Sequence, residues 1–86
     1  MTIWKYVIYP DTTYLDIPSG AEFLTLQVQN ETPCLWFRVN PNNETNKIEL
    51  TIVGTGWNLE SGGYYVGTFQ LVKDNLVFHD FSKELL

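Results

Sequence analysis

Cysteine is almost absent from this chain: Cys34 is the only one in 86 residues. No intramolecular disulfide can therefore form, and a single thiol is typical of proteins that stay in a reducing compartment. A chain this short buries only about 60 to 65% of its unfolded surface, so one small core must hold the fold without covalent staples. We expect a single domain over residues 1–86 that gains further stability as a homo-oligomer.

Long hydrophobic runs and targeting signals are also lacking. No segment approaches the roughly 20 apolar residues that span a bilayer. The residues after Met1 include no basic stretch leading into an apolar run, as a secretory signal would. We therefore expect a cytoplasmic protein with no membrane partner.

Basic residues are scarce, with five lysines and arginines against ten acidic residues and a net charge of −5. No two bases are adjacent in the sequence. Proteins that bind the nucleic acid backbone normally cluster such residues to displace counterions, so direct nucleic-acid binding is disfavoured. The acids are spread singly through the chain, which disfavours mimicry of DNA as well.

Residues suited to catalysis or metal binding are few. His79 is the only histidine, and neither CxxC nor HxxxH spacing occurs. A nucleophile and base formed by Cys34 and His79 is the enzymatic alternative, but a lone cysteine beside Leu35 is more typical of an inert core residue. We predict no catalytic residue, no metal and no cofactor.

The titratable residues near the C-terminus fit structural roles better than acid–base chemistry. His79 alternates with Val77 and Phe81, which favours a partly buried imidazole whose hydrogen bonds are satisfied. Three carboxylates are expected to be solvated rather than paired as an acid and a base: Asp74, Asp80 and Glu84.

The strongest pattern in the sequence is the alternation of apolar and polar residues. Residues 48–53 alternate strictly, and residues 22–29 place three apolar side chains on one face of a strand. Proline, glycine and asparagine interrupt the chain at short intervals, the last such breaker before residue 64 being Ser61-Gly62-Gly63. The sequence predicts an all-β fold with little or no helix, a small antiparallel sandwich or partly open barrel of about seven strands, near 3–9, 13–17, 22–29, 34–39, 47–53, 64–71 and 76–81.

Aromatic residues are abundant, with three tryptophans, five tyrosines and five phenylalanines. They either fill a small core or form a stacking and contact surface. The segment 34–39 favours a contact surface because it is apolar on both faces, with Cys34 and Trp36 on one side and Leu35 and Phe37 on the other. A second layer or a second subunit is expected to cover it.

Gly54-Thr55-Gly56-Trp57 is the best local candidate for a binding loop. Two glycines after a strand can turn backbone N–H groups towards a ligand, while a hydroxyl and an indole ring add a hydrogen bond and a stacking face. The segment lacks the third glycine of a dinucleotide-binding motif and the lysine of a P-loop. A β-bulge is the alternative interpretation.

Seven short motifs in chain order resemble a family of short bacteriophage and prophage proteins without an established activity: Ile3-Trp4-Lys5-Tyr6, Ile17-Pro18-Ser19-Gly20-Ala21, Val28-Gln29-Asn30, Pro33-Cys34-Leu35-Trp36, Gly54-Thr55-Gly56, Tyr65-Val66-Gly67-Thr68-Phe69-Gln70 and Leu76-Val77-Phe78-His79. The resemblance covers nearly the whole chain. In that family a histidine commonly follows Gly-Thr-Gly, whereas this chain has Trp57, which favours a stacking or structural role here.

The resemblance implies a phage protein made in an infected or lysogenic bacterium, and small proteins of this kind often counter a bacterial defence. We expect it to sequester a nucleotide-derived immune signal without turnover. The ligand-binding residues expected are Gly54, Thr55, Gly56, Trp57, Trp36, Arg38, Gln70 and His79, with Lys5 or Lys47 as further phosphate contacts.

Three other functions stay open at this point. An aromatic surface suits an inhibitor of a host defence nuclease or other effector protein. A structural or assembly role in the phage particle is the second alternative. A phosphodiesterase that uses His79 as acid or base is the third.

Overall fold

The computed structural model describes residues 1–60 and 62–86. These residues form seven strands: β1 (Thr2–Val7), β2 (Thr12–Pro18), β3 (Glu22–Gln29), β4 (Thr32–Val39), β5 (Thr45–Gly54), β6 (Tyr64–Leu71) and β7 (Leu76–Ser82). Every strand pair is antiparallel, and the described residues include no helix. The predicted all-β fold class and the positions of all seven strands are confirmed.

The strands form two sheets. Sheet A has the order β1-β4-β3, and sheet B has the order β2-β5-β7-β6. One hydrophobic cluster joins the inward faces of both sheets, with Leu35 and Phe37 from β4 meeting Leu50 and Ile52 from β5 and Phe78 from β7. The sheets also approach each other where β3 runs beside β6. The result is a two-sheet structure with one core.

Turn chemistry fixes where several strands end. β1 stops at Val7 rather than at residue 9 because Ile8 next meets Pro33, which accepts a hydrogen bond from Ile8 but has no N–H to return. Asn30 and Glu31 connect β3 to β4 with φ of 52° and 61°, the left-handed pair of a two-residue type I′ hairpin. Ser61 of the predicted breaker before β6 lies outside the described residues.

Both faces of β4 carry apolar side chains, and contacts within the chain bury most of them. Leu35 and Phe37 belong to the core, while Cys34 faces the other way and is nevertheless buried. The Lys5 ammonium on β1 donates a 2.8 Å hydrogen bond to Gln29 on β3, and the strand register places this bridge across β4 at the level of Cys34. Cys34 is therefore buried without a second subunit, while Trp36 on the same face of β4 stays partly exposed.

Candidate functional site

Two of the predicted ligand residues, Trp36 and Arg38, lie on the outward face of sheet A. Both alternate along β4 with the core residues Leu35 and Phe37, so they point away from sheet B. The Arg38 guanidinium forms an ion pair with Glu22 on β3. Within one chain, these two residues do not join the rest of the predicted site.

The predicted binding loop follows β5 and folds back on itself. The Trp57 amide donates to the Gly54 carbonyl at 3.0 Å, and the indole ring covers Gly54 so closely that a Cβ there would stand 2.7 Å from it. The ring also meets Phe78 edge-on at 5.9 Å. Gly54, Thr55 and Trp57 thus line a cleft of about 310 Å³, but no charged side chain lines it.

His79 lies at the centre of a hydrogen-bonded chain on the outward face of sheet B. Its Nε2 is 2.7 Å from the Thr55 hydroxyl and its Nδ1 is 3.0 Å from the Thr68 hydroxyl, which is 2.6 Å from the Tyr65 hydroxyl. With the proton on Nε2, each group can donate to the next, from Tyr65 through His79 to Thr55. The satisfied, partly buried imidazole predicted from the sequence is confirmed.

Gln70 lies on the same outward face as His79, since it alternates with the buried Phe69. Its side-chain amide donates to Asn75 in the β6–β7 turn at 3.2 Å. Lys5 and Lys47, the other two expected phosphate contacts, lie elsewhere. The Lys5 ammonium donates to Gln29 on sheet A, and the Lys47 ammonium is 3.7 Å from the Asp16 carboxylate. The predicted residues therefore divide among separate surfaces.

A second cleft, which we call the Phe81 cleft, was not predicted from the sequence. It measures about 330 Å³ and is lined by residues from β5, from the start of β6 and from the end of β7: Glu49, Thr51, Gly62, Gly63, Tyr64, Phe81, Ser82 and Lys83. Phe81, Glu49 and Lys83 place one aromatic ring, one carboxylate and one ammonium beside one space. The Tyr64 side chain pairs with the inward Ser82 and lies on the other face of the sheet. The adjacent Gly-Gly and Tyr-Tyr pairs at 62–65 were the signal available in the sequence.

Local structure explains why this cleft forms. The Lys83 amide donates to the Glu49 carbonyl at 3.0 Å, which continues the β5–β7 pairing past Ser82 and holds the two charged residues side by side. Gly63 has φ of 121°, and a Cβ there would stand 2.8 Å from the Ser82 carbonyl oxygen. Only glycine fits this approach.

The His79 chain also supports the cleft. Tyr65 meets Phe81 edge-on at 5.8 Å, and its hydroxyl is fixed by Thr68. The Phe81 ring, which lines the cleft, therefore packs against Tyr65, the residue at the end of the hydrogen-bonded series that includes His79. No histidine or cysteine is among the residues that border the cleft.

Asp80 contradicts the expectation of a solvated carboxylate. It is fully buried on the inward face of β7 together with Phe78 and Ser82. Neither oxygen has a hydrogen-bond partner of normal geometry among the described residues. Loss of hydration on burial raises the pKa of Asp80 to about 7, and the backbone amide of Phe81 offsets only part of this rise. Asp74 and Glu84 are exposed as expected.

In the part of the chain that the structure describes, no three metal-ligating side chains converge. A helix long and apolar enough to cross a membrane is not found in residues 1–60 or 62–86. The charged side chains that border the Phe81 cleft are Glu49 and Lys83.

Comparison with known proteins places the chain in one family. No curated protein matches the sequence, and no solved structure matches the fold. Residues 1–85 match the family described as Domain of unknown function (DUF7352), and the chain therefore belongs to that family.

Proposed function

We propose that this protein is a non-enzymatic, phage-encoded binding protein that counters a bacterial defence by holding a small nucleotide-derived signal in the Phe81 cleft. The observation that carries the proposal is the cleft itself, about 330 Å³ in volume and bordered by the Phe81 ring and by charges of both signs. Small-molecule sites in proteins typically measure about 300 to 1,000 Å³ and combine apolar walls with a few polar groups. The phage setting rests on the sequence resemblance alone.

Each part of the cleft matches one part of such a ligand. The Phe81 ring offers an apolar face on which a base can stack, a contact worth about 1 to 3 kcal/mol. The Glu49 carboxylate accepts hydrogen bonds from an exocyclic amine, and the Lys83 ammonium attracts a phosphate. Because the protein carries a net charge of −5, a ligand with few phosphates is favoured over a polyphosphate or a nucleic acid.

The Phe81 cleft fits this ligand better than the cleft beside Trp57, which contains the binding loop predicted from the sequence. The Trp57 cleft is bordered by no charged side chain, and its indole is already packed on Gly54 and Phe78. Binding there would leave a phosphate without a cation. The ligand-binding roles expected for Trp36 and Arg38 would require a second subunit.

Titration calorimetry with a panel of linear and cyclic mononucleotides and dinucleotides tests the proposal. We expect at least one of them to bind, Phe81→Leu to weaken that binding by about 1 to 3 kcal/mol through the lost stack, and Lys83→Gln to weaken it about tenfold. Phe23→Leu and Lys73→Gln are the matched controls, since Phe23 is half-buried like Phe81, Lys73 is exposed like Lys83, and both lie outside the cleft. Absence of binding across the panel, or equal losses in the controls, would contradict the proposal.

Recovery of the ligand separates binding from catalysis. After incubation and denaturation, chromatography should return the nucleotide intact. A cleaved product that disappears in His79→Gln would instead identify an enzyme. Because the Thr55 and Thr68 hydroxyls already occupy both imidazole nitrogens, we expect His79→Gln to change binding less than tenfold.

A protein inhibitor is the second candidate, and one observation favours it. Tyr14 and Tyr65 are 59% and 63% exposed on the outward face of sheet B, and exposed aromatic residues of this kind are enriched in protein interfaces. If a host effector is the target, Tyr14→Ala and Tyr65→Ala should both weaken its capture. Lys83→Gln should then have little effect, which distinguishes this candidate from nucleotide binding.

A further inference from the structure

β1 presents a free sheet edge that the rest of the fold leaves open. Among residues 1–60 and 62–86 it pairs only with β4, and it stands at the end of sheet A. Its first four residues are all exposed, and the apolar ones among them include Ile3 at 59% and Trp4 at 38%. Met1 beside them is 77% exposed. An open groove of about 470 Å³ lies at the start of this strand, bordered by residues 1–3 and by Arg38 of β4.

The direction of the backbone groups on this edge follows from one hydrogen bond. The Ile8 amide donates to the Pro33 carbonyl at 3.1 Å, which makes Ile8 and Pro33 a hydrogen-bonded pair of the antiparallel ladder. Such pairs alternate with pairs that share no hydrogen bond. The N–H and C=O groups of Ile3, Lys5 and Val7 therefore point away from β4, towards the open edge.

Each of the other three sheet edges carries a register irregularity or a proline that discourages pairing, and β1 carries neither. β3 has an irregular register at residues 23–25 and β6 has one at residues 65–67, while β2 contains Asp16 and ends at Pro18. Bulges, proline and charges are the usual protection of an exposed edge. β1 has no proline and no register shift.

The charges of sheet A are also turned away from this edge. Lys5, the only charged residue of β1, has its ammonium hydrogen-bonded to Gln29 on β3. Arg38 on β4 forms its ion pair with Glu22, which is also on β3. Both cations are thus directed towards β3.

We propose that the β1 edge pairs with the β1 edge of a second copy of this chain, in an antiparallel two-fold dimer that joins two copies of sheet A into one six-stranded sheet. Hydrogen bonding requires the outward-pointing residues to stand opposite each other. The register with Lys5 opposite the partner's Lys5 places like charges together and is disfavoured. Moving each strand so that Ile3 faces the partner's Lys5 removes that repulsion and places Trp4 opposite the partner's Trp4.

The size of this interface sets the expected affinity. Standard interfaces bury about 1,200 to 2,000 Å², and a pair of six-residue strands with few flanking side chains falls at or below the lower limit. We therefore expect a dimer that forms at micromolar concentration rather than an obligate one. Sedimentation equilibrium from about 1 to about 500 µM should show a concentration-dependent shift from monomer to dimer.

Ile3→Pro tests the edge directly. Proline removes an N–H that β4 does not use, so the folded subunit should retain its β-sheet circular dichroism while self-association is lost. Val72→Lys is the control, since Val72 is 77% exposed in the β6–β7 turn, and it should dimerise like the wild type. A wild-type protein that stays monomeric over the whole range, or an Ile3→Pro variant that still dimerises, would overturn the proposal.

A disulfide test fixes the register and does not depend on the proline variant folding. Opposed residues that share no hydrogen bond have Cα atoms about 4.5 Å apart, within the range of a disulfide. Trp4→Cys should therefore form a covalent dimer on mild oxidation. Lys5→Cys should form far less, because its copies stand diagonally, about 7 to 8 Å apart. Preferential cross-linking of Lys5→Cys, or none in either variant, would exclude this arrangement.

Discussion

At the scale of single residues, Asp80 is the feature that least resembles an ordinary sheet protein. Burying a carboxyl group without hydrogen-bond partners costs free energy whenever the group is charged. Asp80 has no exposed surface and lies on the same face as the core residue Phe78. The folded protein therefore holds a proton there at a pH where a free aspartate would have lost it.

Asp80 should make stability depend on pH in a defined window. Between pH about 4, where a free aspartate titrates, and pH about 7, where the folded-state pKa lies, the unfolded chain releases this proton and the folded chain keeps it. Stability should fall as pH rises through this window, by up to about 1.4 kcal/mol per pH unit, and level off above it. Asp80→Asn cannot titrate and should lack this contribution.

Urea unfolding from pH 4 to pH 9 measures the contribution of Asp80, as the difference in the free energy of unfolding between the wild type and Asp80→Asn. That difference should shift in favour of the variant through the window and then stay constant. Asp74→Asn, in the exposed β6–β7 turn, controls for the loss of a surface charge. A difference that does not change with pH would show that Asp80 carries no perturbed titration.

At the scale of the elements, the hairpin between β3 and β4 shows a conflict between local conformation and residue type. Asn30 tolerates a positive φ because its short side chain can bond locally, but Glu31 also adopts a φ of 61°. The Glu31 carboxylate accepts a 3.3 Å hydrogen bond from the Lys73 amide in the β6–β7 turn. This contact ties together two hairpins of different sheets.

Replacing Glu31 by alanine or glycine separates the cost of its positive φ from the contribution of its hydrogen bond with Lys73. Glu31→Ala and Glu31→Gly both lose the contact with Lys73, but only glycine adopts the left-handed conformation without a steric penalty. Glu31→Gly should therefore be more stable than Glu31→Ala by about 1 kcal/mol, measured by urea denaturation. Equal stability of the two variants would mean that this turn relaxes to another conformation.

At the scale of the whole molecule, 86 residues without a disulfide must be stabilised by one small core. The principal axes measure 39, 28 and 15 Å, so the molecule is a flat body whose two broad surfaces are the outward faces of the sheets. Pairing through β1 would lengthen this body along sheet A and leave the Phe81 cleft on sheet B accessible. Ligand binding and dimerisation should therefore be independent.

Differential scanning calorimetry at several protein concentrations tests whether the chain dimerises. Because association stabilises only the folded chain, the unfolding temperature should rise with protein concentration, by roughly 4 to 8 °C over a fifty-fold range. The Ile3→Pro variant should show no such rise. A wild-type unfolding temperature that is the same at all concentrations would contradict self-association.

Alternation and turn residues in the sequence determined the fold class and all seven strands, because periodicity of two and proline, glycine or asparagine breakers are local properties. The partly buried His79 followed from the same pattern. Which face of β7 turns inward was not local, however. Phe78 stacks on Phe69 at 5.6 Å, and this core contact carries Asp80 inward with it, although Val77, His79 and Phe81 read equally well as the apolar face.

The candidate site was decided almost wholly by the tertiary structure. Sequence spacing could not tell that Trp36 belongs to one sheet and His79 to the other, since that depends on strand order. Nor could it bring Glu49 and Lys83 together, because the two residues meet only through the pairing of β5 with the end of β7. Local patterns specify strands and turns, whereas a cleft between strands distant in the chain exists only once those strands have paired.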